Sequence, residues 1–331
     1  MKKIYLNNCS ENIRNILSLA FISLIFLTGC RSNSGKKSTE IIVFHAGSLS
    51  VPFKNLAEEF EKRNPNIKIL MESSGSLIAA RKVSELKKPC DIVAVSDNFV
   101  INEILIPQYT SWSIRFATNE IVIAYQDKAK YASEISSANW MDILLRKDVI
   151  FARADPNADP CGYRTVIMFS LAEKYYGLPG FKDKMVSKNT NYIRPKEVDL
   201  VGLIEGNVID YMIQYKSVVI QHKLKFIELP KEINLGDPTK KDQYKSISME
   251  IAGNTPGSKV SVTGDYINYS LTILKDASHS KEAINFILFI LSKDGMEIIK
   301  KNGQEPLIPF ITDQPEQIPL ELKPMLTGSL L

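Results

Sequence analysis

Short apolar runs that end in small polar residues and then switch to helical spacing constrain this chain more than anything in its composition. Ile41-Ile42-Val43-Phe44 reads as a strand, followed by Ala46-Gly47-Ser48 and a helix through Lys62. Ile67-Lys68-Ile69-Leu70-Met71 is a second strand, followed by Ser73-Ser74-Gly75-Ser76 and a helix over Leu77 to Lys87. Asp91 to Val95, entered from Pro89, is a third. Continuous apolar strands separated by helices predict parallel pairing with both sheet faces covered.

A second set follows. Ile121 to Tyr125 and Val149 to Ala152 read as strands, and Arg164 to Tyr176 as a helix closed near Gly177. A helix over Glu197 to Glu205 stops at Gly206, and Ile209 to Ile213 returns as a strand. Tyr266 to Leu274 alternates strongly, and helices follow over Lys281 to Leu291 and Asp294 to Lys301. This order predicts an α/β protein of two lobes, the second inserted in the first. The expected boundaries are 40–118 for the first part of lobe 1, 119–260 for lobe 2, and 261–331 for the return to lobe 1 and the tail.

The N-terminus reads separately. Lys2, Lys3 and Arg14 precede an apolar stretch from Ile16 to Leu27, which ends in Leu27-Thr28-Gly29-Cys30. A membrane span needs about 20 apolar residues, so this stretch is too short to span and fits a signal-peptide core. Small residues before a cysteine match the bacterial lipobox. Residues 1–29 are therefore expected to be a signal peptide and Cys30 a lipidated N-terminus, with 30–39 a polar tether. The protein is expected outside the cytoplasm, anchored to the membrane by lipid.

Charge and cysteine count exclude several classes. The net charge is +4, and removing Lys2, Lys3, Arg14 and Glu11 leaves about +2. The basic residues are scattered, which argues against nucleic acid as a partner. His45, His222 and His279 lie far apart, without zinc-ligand spacing. Cys90 and Cys161 remain after the leader, and the sequence leaves open whether they pair. Trp112 and Trp140 are expected to pack rather than to stack on sugars.

Four helix starts carry the candidate chemistry. Gly47-Ser48 and Gly75-Ser76 each follow an apolar strand directly. A helix start offers unsatisfied N–H groups and partial positive charge, and a serine adds a hydroxyl. At the carboxyl ends of parallel strands this makes an anion site. The alternative is that each serine merely caps its helix. Asp159-Pro160-Cys161-Gly162-Tyr163-Arg164 and Arg194-Pro195-Lys196-Glu197 are proline-led starts, each with an acid that could serve only as a cap. If all four converge, two carboxylates lie among donors suited to an anion. That arrangement repels sulfate, but it suits an oxometallate, whose metal the carboxylates can reach.

These motifs, with His45-Ala46-Gly47-Ser48-Leu49 and Tyr215-Lys216-Ser217-Val218, resemble the tungstate/molybdate-binding proteins of ABC importers, in their archaeal-type branch. The resemblance runs from about Glu40 to Phe310. It implies a type II periplasmic-binding-protein fold with a ligand cleft and a two-strand hinge, no enzymatic activity, and no cofactor beyond the captured tungstate or molybdate. It implies that Gly47, Ser48 and Ser76 bind oxygens from lobe 1, that Asp159 and Glu197 complete a six-coordinate metal centre, and that the amides of Cys161 and Tyr215 contribute. The implied partners are a permease and its ATPase, with the binding protein a monomer. Which of Ser73, Ser74 and Ser76 faces the ligand stays open. The competing readings are a receptor for sulfate, thiosulfate or phosphate, an enzyme using Cys161 as nucleophile, and a lipoprotein with a vestigial cleft.

Overall fold

A computed structural model describes residues 38–253, 255 and 257–327. The signal-like segment, Cys30 and the tether as far as Lys37 lie outside the described residues. Thr39, read as the end of the tether, instead opens the first strand.

In chain order the strands begin with β1 (Thr39–Ala46), β2 (Ile67–Ser74), β3 (Ile92–Val95), β4 (Ile114–Thr118), β5 (Ile121–Tyr125), β6 (Phe151–Ala154) and β7 (Ile193–Arg194). They continue with β8 (Tyr211–Tyr215), β9 (Lys225–Glu228), β10 (Ser248–Ala252), β11 (Lys259–Thr263), β12 (Asn268–Ile273) and β13 (Glu305–Ile311). One sheet has the order β13-β4-β12-β3-β1-β2 and the other β7-β6-β8-β5-β9, while β10 and β11 form a separate hairpin. The parallel pairing expected of the first three runs is present, with β1 flanked by β2 and β3. Beyond them both sheets are mixed, because β12 runs antiparallel to β3 and β4, and β5 runs antiparallel to β8 and β9.

The first sheet is thus assembled from both ends of the described chain, and the second only from its middle. The chain leaves the first sheet at Thr118, enters the second at Ile121, and returns to the first at Asn268. Two lobes joined by two crossings are the type II arrangement.

Register fixes the working end of lobe 1. Ala46 pairs with Ser74, and His45 with Ala94. Gly47, Gly75 and Ser96 therefore emerge side by side, one residue beyond their paired strand positions. Helix α1 (Ser50–Arg63) buries Phe53, Leu56, Ala57 and Phe60, a spacing of three and four that forms one face. Phe60 packs on Phe286 and Phe289 with ring centroids 5.0 and 5.7 Å apart. Each such buried side chain contributes about 1.5–3 kcal/mol, enough to pin the helix that follows Ser48. Helix α2 (Ser76–Ser84) starts directly after Gly75.

In lobe 2, helix α3 (Pro160–Tyr176) begins earlier than the apolar period alone indicates. Asp159 caps it, Pro160 occupies its first turn, and it ends at Gly177 with φ 63°. Trp112 and Trp140 are buried, as expected of packing residues. No helix among the described residues is long and apolar enough to cross a membrane.

Candidate functional site

The two serines singled out in lobe 1 do not cap their helices. Ser48 sits in a short 3-10 turn (Gly47–Leu49) whose start has no side-chain cap, and the cap position of α2 is Gly75, not Ser76. Both serines are buried. The Ser76 hydroxyl lies 3.2 Å from the Ser96 hydroxyl and accepts from the Ser96 N–H at 3.1 Å. Ser48 Oγ has no well-aligned hydrogen-bond partner, although the Tyr269 hydroxyl is within reach. The other two serines of the second turn are committed elsewhere. Ser73 meets Ser50 at 3.0 Å, and Ser74 accepts from Lys82 at 3.1 Å. Ser76, held by Ser96, directly follows Gly75, which packs against the backbone of lobe 2.

Lobe 2 supplies the acids. Asp159 does cap its helix, accepting the Cys161 N–H at 2.8 Å through Oδ1, while Oδ2 faces the Glu197 N–H at 3.4 Å. Glu197 is not in the first turn of a helix as expected. Its helix, α4 (Asp199–Glu205), starts two residues later, and Pro195 lies in a bend before it. Freed from a capping role, the Glu197 side chain crosses to lobe 1 and accepts the Ser48 N–H through Oε1. Its Oε2 is buried without a hydrogen-bond partner. Both carboxylates are buried, at 1% and 0% exposure. Burial first, and the neighbouring Glu197 charge second, push the Asp159 carboxyl well above the usual range.

Glycine is required where the lobes meet. A Cβ on Gly47 would lie 2.6 Å from Glu197 Oε2, and one on Gly75 would lie 2.4 Å from the Ala158 carbonyl oxygen and 2.7 Å from that of Pro195. The structure thus brings together Gly47, Ser48, Asp159, Cys161 and Glu197, with Ser76 one residue beyond the close approach at Gly75. Tyr215 adjoins them, but its N–H already donates to Gln214 Oε1 at 2.8 Å, as the Cys161 N–H does to Asp159.

Sequence reasoning missed several residues here. Gln214, fully buried at the end of β8, accepts from Tyr215 and donates to the Glu197 carbonyl at 2.8 Å, fixing the turn that carries the acid. Its position among Tyr211 to Tyr215, the one amide in an otherwise apolar or aromatic run, was the available signal. Asn119 joins the crossing to the site by donating to Ser217 at 2.7 Å and to the Tyr269 hydroxyl at 2.9 Å. Cys90 and Cys161 are both buried free thiols. Burial pushes the Cys161 thiol well up, opposite to what a nucleophile needs. A cavity of about 520 Å³ near the crossing, lined by Asn119, Glu120, Lys216 and Gly303 among others, contains none of the acids or serines above.

Two mixed α/β lobes, with a buried acid of one accepting the amide of a buried serine in the other, define a two-lobed binding protein. Comparison with known proteins agrees. Residues 41–305 match the model of a family described as bacterial extracellular solute-binding protein, and the chain belongs to that family. It is 44% identical over 335 residues to the molybdate/tungstate-binding protein WtpA of Pyrococcus abyssi, covering 92% of this chain and 96% of the relative. It is 40% identical over 317 residues to an uncharacterized solute-binding protein of Petrotoga mobilis, covering 96% and 99%. Among solved structures, the periplasmic molybdate-binding protein of Azotobacter vinelandii shares the fold with a TM-score of 0.59 at 13% identity, covering 81% of this chain and 99% of that one. The sulfate-binding protein SubI of Mycobacterium tuberculosis does so with a TM-score of 0.58 at 14% identity, covering 82% and 88%.

Proposed function

We propose that the protein captures molybdate or tungstate between its lobes and delivers it to the permease and ATPase of an ABC importer. One observation carries the reading: two buried carboxylates lie side by side in lobe 2, Asp159 toward the Glu197 and Cys161 amides and Glu197 reaching across the lobe boundary to the amide of buried Ser48. A tetrahedral anion with a non-metal centre presents only oxygens, and two carboxylates repel it. Molybdenum and tungsten centres accept further oxygen ligands, so the same carboxylates become attractive. Ser48 and Ser76, with the amide at Ser48, take the outer oxygens. Gly47 leaves room for the Glu197 carboxylate, and Asp159 and Glu197 complete the metal's coordination. The amides of Cys161 and Tyr215 border the anion through donors they share with Asp159 and Gln214.

Closure follows because the ligand gains contacts to both lobes only when they meet. The name of the Pyrococcus relative supports this choice of anion. Lipidation at Cys30 would hold the receptor at the outer face of the membrane, beside the permease. Isothermal titration of the purified protein with tungstate, molybdate, sulfate and phosphate tests the reading. Tight one-to-one binding of the first two alone is expected. Comparable sulfate affinity would reduce Asp159 and Glu197 to structural acids and make the protein a general oxyanion receptor.

A further inference from the structure

We propose that Asp97 and Arg164, assisted by Tyr163, form a clasp between the lobes that sets how long the captured anion stays bound; this rests on the oxyanion reading above. Asp97 lies just beyond β3 in lobe 1, and Tyr163 and Arg164 lie in the second turn of α3 in lobe 2. Asp97 Oδ1 accepts the Phe99 N–H at 3.1 Å and so caps its own short helix. Its Oδ2 accepts the Tyr163 hydroxyl at 2.6 Å and pairs with Arg164 Nη2 at 2.8 Å. Arg164 Nη1 donates to the Ser96 carbonyl at 2.5 Å and to the Tyr215 hydroxyl at 3.2 Å.

Among the ion pairs of the described residues, this one alone has both side chains under a tenth exposed, at 2% for Arg164 and 9% for Asp97. Burial by itself would weaken the hold on Arg164's proton, but the Asp97 charge together with Tyr215 and Tyr163 outweighs it and the guanidinium is held more firmly protonated.

The clasp is continuous with the ligand serines. Arg164 grips the carbonyl of Ser96, and the N–H and hydroxyl of Ser96 hold Ser76. The helix that carries Asp159 at its cap thus carries the clasp one turn later, so engaging the anion and engaging the clasp are one movement. When the lobes part, Asp97 and Arg164 each meet water, and neither charge is stranded. When the lobes close, each depends on the other. Removing one partner therefore penalises only the closed state, by the cost of burying an unpaired charge. The encounter of anion and open protein is left unchanged, so the effect falls on dissociation.

The test uses the purified full-length protein and tungstate, with association and dissociation rates measured by stopped flow. Asp97→Asn keeps a capping side chain but removes the charge. It is expected to raise the dissociation rate about 30-fold or more, the lower end for truncating a buried charge pair, with the association rate and the ligand-free melting temperature nearly unchanged. Asp97→Asn combined with Arg164→Met removes both charges and is expected to recover most of the loss. An unchanged dissociation rate in Asp97→Asn overturns the clasp. So does a loss that appears equally in ligand-free stability, or a double variant worse than the single one. If the wild-type protein fails to bind tungstate, the oxyanion reading falls instead. The clasp is then decided with whichever of molybdate, sulfate or phosphate the wild-type protein binds: Asp97→Asn is expected to speed its dissociation, and an unchanged rate refutes the proposal.

Discussion

Replacing Gly75 with alanine would add one methyl group at the point where the lobes come closest. In lobe 1 the change is benign: Gly75 has φ −58° and ψ 144°, which alanine adopts without strain. The conflict lies entirely with lobe 2. The new Cβ would stand 2.4 Å from the Ala158 carbonyl oxygen and 2.7 Å from that of Pro195, whereas ordinary contact begins at 3.4 Å. Both obstacles are backbone, so no side chain can turn aside, and the lobes must stay about 1 Å further apart at this point. Overpacking of this kind costs about 1–3 kcal/mol. The cost falls on the closed state, so the dissociation constant for tungstate should rise roughly 5- to 150-fold. Meanwhile the ligand-free protein should keep its melting temperature or gain slightly, since alanine restricts the unfolded chain by about 0.4–1 kcal/mol. Titration calorimetry of the variant, with thermal unfolding of the ligand-free protein, reads both quantities. A dissociation constant within twofold of wild type would refute the argument, and so would a fall in ligand-free stability.

Three further outcomes are expected. Asp159→Ala combined with Glu197→Ala should weaken tungstate binding at least about 100-fold, corresponding to about 2.7 kcal/mol, with a much smaller change in the melting temperature; calorimetry and thermal unfolding separate the two effects. Gln214→Leu should cost about 1–3 kcal/mol of stability by stranding the Glu197 carbonyl and the Tyr215 N–H, and urea unfolding measures it. Asp159 should make ligand-free stability fall with rising pH. Its folded pKa is raised above the ordinary 3.8, so its contribution is complete below that value and is lost as pH climbs through the raised one. His45, lowered by burial to about 4 from 6.5, acts oppositely between those values. Subtracting an Asp159→Asn pH profile from that of the wild type isolates the aspartate, and a flat difference would contradict the assignment.

Much of the architecture was legible because buried strands write themselves as apolar runs. Ile92–Val95 and Ile121–Ala124 are fully buried, and both were readable by inspection. The strands that escaped notice carry mixed signals. β4 holds Arg115, whose charge interrupts the run but pairs with Asp313. β13 holds Pro306 and Pro309 and survives as an edge strand, where a missing donor is tolerated. At the site, the acids and serines were visible as helix-start residues, and a capping role could not be told from a binding one by sequence. Three-dimensional placement divides them: Asp159 caps, while Ser48, Ser76 and Glu197 do not. Asp97 was invisible because its partner Arg164 lies 67 residues away in the chain, and Gln214 showed only as an amide in an apolar run, with its partner Glu197 17 residues away.

The interleaving of the sheets also sets an order of assembly. As the chain emerges, β1, β2 and β3 appear first, yet one edge of β3 stays bare until Asn268–Ile273 arrives. All five strands of the second sheet have appeared by Glu228. The middle of the chain can therefore finish its sheet while the first part still waits for its last two strands, β12 and β13. Pairing across so long a separation is slow to form. Lobe 1 is thus the last to become itself, and its exposed β3 edge is where a stalled or truncated chain would aggregate.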